Sequence, residues 1–136
     1  MTTKDSYYDV KFNENPSKYF KVSIKYINEK INGPGKNMII FNRLCKYYTK
    51  GDIDNVKKIK QYIESSTLIL PFKKKLMLII FANFLININS LNITETIKLF
   101  STTLAHIDTN IHIGHKIHDK LIEYKDLHIM NLKSDK

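Results

Sequence analysis

Eight basic side chains within one stretch carry the clearest chemistry in this sequence: Arg43, Lys46, Lys50, Lys57, Lys58, Lys73, Lys74 and Lys75. Cations spaced along helix faces suit a phosphate backbone, because neutralising phosphates releases condensed counterions without reading any base. Arg43, Lys46 and Lys50 stand at i, i+3 and i+7, so on a helix they share one face, opposite an apolar stripe. Lys57 and Lys58 fall on the outward side of the next helical pattern, with Tyr47 and Tyr62 close by in sequence. Lys73, Lys74 and Lys75 are placed differently. They fall in a first helical turn, where unpaired N–H groups already carry partial positive charge and lysines cost stability. The expectation is that something anionic offsets them, and a helix N-terminus is suited to phosphate.

The distribution of charge sharpens this. The formal net charge is +9, built from 21 lysines and one arginine against 13 acids. Residues 43–75 hold nine basic and three acidic groups, whereas residues 76–136 hold six of each and sum to zero. The excess therefore lies in the first 75 residues. Lysine, isoleucine and asparagine, whose codons are rich in A and T, are all abundant, so part of the basic balance is what an AT-rich genome is expected to give. The competing reading is that these lysines only solvate the outer face of the fold. The single arginine argues against reading of bases through a bidentate fork.

Two other constellations are weaker. His112, His115 and His118 form H-x-x-H-x-x-H, and on one helix His112, His115 and Asp119 would make a two-histidine, one-carboxylate set. Gly114 interrupts that turn and no H-E-x-x-H glutamate is present, so solvated surface histidines are expected and no metal or other cofactor is assigned. Cys45 is the single cysteine and lies between Phe41 and Tyr48 on an apolar stripe, as a buried, inert thiol would. One cysteine makes neither a disulfide framework nor a thiolate cluster, which points to a reducing, cytoplasmic setting. No P-loop, G-x-S-x-G or glycine-rich phosphate fingerprint occurs. A non-catalytic protein is the expectation.

The elements that must position these groups follow from period and punctuation. Four glycines and three prolines leave few turns in 136 residues. Residues 1–14 are polar, with no period and no apolar leader, and are expected to form an arm. Asn15-Pro16 opens a helix carrying Phe20, Ile24, Ile27 and Ile31, which Gly33-Pro34-Gly35 stops. A second helix spans about residues 37–50, with Met38, Phe41, Cys45 and Tyr48 on its apolar face. Gly51 suits the left-handed position after it, and Asp52 caps a third helix carrying Ile53, Val56, Ile59 and Ile63. Pro71 sits in the first turn of a fourth helix, near residues 72–88, that is apolar nearly all round and so belongs at a centre. Its apolar run is interrupted by Asn83 and Asn87 and falls short of the roughly 20 residues that span a bilayer. Asn92-x-x-Glu95 is a capping box for a fifth helix with Ile93, Ile97, Phe100, Leu104 and Ile107 at spacings of four and three. Asp108-Thr109-Asn110 breaks the chain before a sixth, with Ile113, Ile117, Leu121 and Tyr124.

The segment Phe41-Asn42-Arg43-Leu44-Cys45-Lys46-Tyr47-Tyr48-Thr49-Lys50-Gly51-Asp52-Ile53-Asp54-Asn55-Val56 resembles the helical hairpin of tetratricopeptide or pentatricopeptide repeats. Those arrays bind peptides or RNA. Only one unit matches, and no second copy recurs at a period of about 34 residues, so the resemblance implies a hairpin and not an array.

The fold class expected is therefore all-α: a compact bundle of five to six helices around the apolar helix near 72–88. Residues 1–14 form the arm, 15–130 the single domain and 131–136 a frayed tail. The leading functional expectation is an accessory protein docking on RNA or a ribonucleoprotein such as the ribosome through its lysine-rich face. The alternative is a helical protein-interaction module, of the kind a virus or parasite directs at its host, that takes a partner helix into an apolar groove. No membrane span is expected in either case.

Overall fold

The turn between residues 49 and 53 shows how local chemistry sets geometry. Gly51 adopts φ +74°, the left-handed conformation that glycine enters without strain. Asp52 then caps the following helix, accepting hydrogen bonds from the Asn55 backbone N–H at 3.3 Å and from Asn55 Nδ2 at 2.7 Å. A computed structural model describes residues 35–65 and 70–134, and among them every regular element is helical. The five helices are α1 (Gly35–Thr49), α2 (Ile53–Glu64), α3 (Phe72–Asn87), α4 (Ile93–Leu104) and α5 (His112–Ser134), with a 3-10 turn at Ile88–Ser90. The arm at 1–14 and the helix expected over 15–31 lie outside the described residues.

One continuous core joins all five helices. α3 is in contact with each of the other four, and α1 also touches α2 and α5. Phe41 of α1 stacks on Phe81 of α3 at 5.3 Å between ring centres, and Tyr48 of α1 meets Tyr124 of α5 at 4.7 Å. Each large apolar side chain that is fully buried contributes about 1.5–3 kcal/mol. α3 is nonetheless not buried all round. Phe72 is 79% exposed and Leu76 41%, and with the exposed Asn83 they mark its outward side. Pro71 stands at the N-cap position, one residue before the helix and not within its first turn.

The phase of two helices differs from the sequence expectation. α1 buries Ile40, Phe41, Leu44 and Tyr47, while Met38, Cys45 and Tyr48 are only half-buried. Four consecutive apolar residues, 38–41, allow either seating, and packing selects the rotation that turns Ile40 and Leu44 inward. α4 has the expected capping box, with both reciprocal hydrogen bonds formed between Asn92 and Glu95. Its most deeply buried positions, however, are Thr96 and Thr103, and Ile97 is 48% exposed. Threonine has the shape of valine, so its methyl fills the core, but the Thr96 hydroxyl has no hydrogen-bond partner among the described residues.

α5 follows expectation on its inner face, burying Ile113, Ile117, Leu121 and Tyr124. Its first turn is anchored by Gly114, where an added Cβ would collide with the Asp108 carbonyl oxygen. The helix continues through Ser134, beyond the point at which a frayed tail is expected. Among the described residues no helix is long and apolar enough to cross a membrane.

Candidate nucleic-acid interface

The basic residues divide into three groups once the helices are placed. Arg43 leaves the expected face altogether. It is 4% exposed, because the seating of α1 on Ile40, Leu44 and Tyr47 turns it inward. Its charge partly opposes the upward shift that burial and Asp52 impose on the Tyr47 hydroxyl. Tyr47 and Tyr62 are themselves buried, and burial pushes the Tyr62 hydroxyl up to about 12. Neither ring is open to stack on a base.

The second group is the hairpin surface. Lys50 at the turn and Lys57 and Lys58 on α2 are exposed, and Lys46 is half-buried. Lys46, Lys50 and Lys57 are in no ion pair among the described residues. Lys60, one turn along α2, is instead paired with Glu64 at 3.4 Å.

The third group is the first turn of α3. The anion expected there is supplied, in part, by the chain itself. Lys73 forms an ion pair with Asp108, which comes from the connection between α4 and α5. The Lys73 hydrogen bond and the Asn110 backbone N–H, at 2.9 Å, hold the Asp108 carboxyl below the usual carboxylate range. Lys75 donates to the Ser65 carbonyl at 3.1 Å and so ties the end of α2 to the start of α3. Lys74, between them in sequence, is half-buried. Two of the three lysines thus stitch the fold together, and the turn is not a free cationic cluster.

Packing of α1 against α5 creates a site that charge counting along the chain misses. A cleft of about 430 Å³ is lined by Asn42, Arg43, Cys45, Lys46 and Thr49 of α1 and by Lys120 and Tyr124 of α5. Three cations line it, and no carboxylate among the described residues does. Glu123 stands beside it, with both oxygens 3.3 Å from Lys120 Nζ. The Cys45 thiol is half-buried, not fully buried as expected, and desolvation pushes it up to about 11. At neutral pH it is therefore an unreactive, neutral thiol, and it places no negative charge in the cleft. Lys120 belongs to the half of the sequence whose charges cancel, and its helix is far from α1 along the chain, so no periodicity rule joins it to Lys46.

The histidines do not assemble as a ligand set. Asp119 is approached by His115 Nε2 at 3.6 Å and by His118 Nδ1 at 3.5 Å, on the outer side of α5. His112 is the first, exposed residue of the helix. Among the described residues no three histidine, cysteine, aspartate or glutamate side chains come together to hold one ion. His128, which no motif singles out, has a structural partner: its Nε2 lies 3.0 Å from the Leu91 carbonyl. A carbonyl only accepts, so that ring nitrogen donates and ties α5 to the approach to α4.

Compared with known protein families, curated proteins and solved structures, the chain matches none.

Proposed function

We propose that this chain is a non-catalytic accessory protein that docks on RNA or a ribonucleoprotein through the α1–α2 hairpin. The observation that supports this most directly is the set of lysines at Lys46, Lys50 and Lys57, which carry charge to the surface without an intramolecular counter-ion among the described residues. Lys58 adds to the same exposed side of α2. The weight of the proposal thus falls on the hairpin and less on residues 73–75, two of which already serve the fold. Contacts of this kind recognise phosphate by charge and shape, in a cytoplasmic setting. The same proposal takes α3 as the centre of the bundle, with residues 15–31 as a sixth helix.

The test is fluorescence anisotropy of a labelled single-stranded RNA across a salt series. Binding is expected to weaken steeply with salt, and the double reversal Lys50→Glu, Lys57→Glu to weaken it by at least about tenfold. Binding that ignores salt, or that survives the reversal, overturns the proposal.

A second reading, a protein-interaction module, is favoured by one observation. Phe72 and Leu76 present apolar surface on the outward side of α3, which a partner helix would gain by burying.

A further inference from the structure

The α1–α5 cleft combines features that the hairpin surface lacks. It is concave, and its charged groups converge from two helices, so a ligand there is gripped from two sides. Lys46 reaches it from α1 and Lys120 from α5, with the exposed Asn42 amide on the rim as a neutral donor. Arg43, which is buried, forms part of the wall. The hydroxyls are already arranged: Thr49 Oγ1 donates to the Cys45 carbonyl at 2.8 Å, and Tyr124 lies against both Cys45 and Thr49. They therefore shape the floor, and the donors left to a ligand are ammonium and amide groups. Lys120 sits 5.6 Å from the centre of the Tyr124 ring, which steadies it over the cleft. Glu123 holds Lys120 from the other side.

We infer that this cleft is a phosphate subsite, in which Lys46 and Lys120 clasp one phosphodiester of the bound RNA. The inference rests on the RNA reading for its ligand and shares Lys46 with it, while Lys120, far outside the 43–75 stretch, belongs to the cleft alone. That separation makes the two distinguishable by experiment.

The measurement is anisotropy of a labelled oligouridylate over a salt series with Lys120→Gln, Lys46→Gln and, as a control, Lys133→Gln at the exposed end of α5. Thermal unfolding of each variant checks that it folds. Lys120→Gln and Lys46→Gln are each expected to weaken binding about tenfold and to reduce the slope of log Kd against log salt by about 1, while Lys133→Gln leaves both unchanged. If Lys120→Gln behaves like Lys133→Gln, the subsite is overturned and docking through the hairpin stands. If the parent chain binds no RNA at low salt, the proposed function falls, and titration with uridine monophosphate followed by NMR decides the cleft alone. Shifts at the cleft that vanish in Lys120→Gln sustain a phosphate site. No shifts overturn it.

Discussion

α4 and α5 both carry clean helical stripes, yet they use them differently. α5 buries its whole stripe, Ile113, Ile117, Leu121 and Tyr124. α4 turns part of its stripe outward, leaves Ile97 half in water and buries two threonines in its place. The difference lies in what holds each helix. α5 is drawn in at its first turn by the close approach of Gly114 to the Asp108 backbone, which leaves no room for a side chain at that position. α4 is held by its capping box at one end and by contacts such as Lys125 of α5 over the Phe100 ring, at 4.4 Å, further along. Periodicity tells how many apolar residues can share a face. The neighbours decide which face is used.

Three substitutions can break or sharpen this contrast, read by denaturant unfolding. Leu121→Ala should show the largest effect, a loss of about 2–5 kcal/mol, because it opens a cavity in a fully buried face. A loss below about 1 kcal/mol would mean that α5 is not seated as described. Thr96→Val keeps the shape and removes a hydroxyl without a partner, so stability should rise by about 1 kcal/mol. A fall instead would reveal a hydrogen bond to that hydroxyl. Ile97→Ala should be nearly silent, within about 0.5 kcal/mol, although Ile97 belongs to the most regular stripe in the chain. A cost comparable to that of Leu121→Ala would reverse the reading of α4.

Much of the fold is legible in the sequence because its signals are local. Asp52, the Asn92–Glu95 pair and Gly51 each act within a few residues, and each does what its type and position imply. The inner face of α5 is legible because its apolar residues are separated by polar ones and favour a single phase. α1 is not, because its apolar run at 38–41 fits two rotations, and the rotation chosen by spacing alone points Arg43 to solvent. The candidate site is half legible. Lys50, Lys57 and Lys58 lie where spacing puts them, on the surface. The pairing of Lys73 with Asp108 joins side chains 35 residues apart, and the placing of Lys46 and Lys120 along one cleft likewise depends on how helices dock. Neither leaves a periodic trace.

Asp108 and Gly51 also set two of the described connections apart. Asp108 engages α3 through its carboxylate, which pairs with Lys73, and through its N–H, 3.4 Å from the Met77 sulfur. Its carbonyl meets the start of α5, accepting from the Ile111 N–H and lying against Gly114. An inserted residue there would disturb α3 and α5 together. Around Gly51 an added Cβ would meet nothing within 4 Å. Opening the Lys50–Gly51 bond costs the backbone hydrogen bonds from Gly51 to Tyr48 and from Asp52 to Tyr47, within the α1–α2 hairpin, whereas opening the α4–α5 connection also loosens its hold on α3.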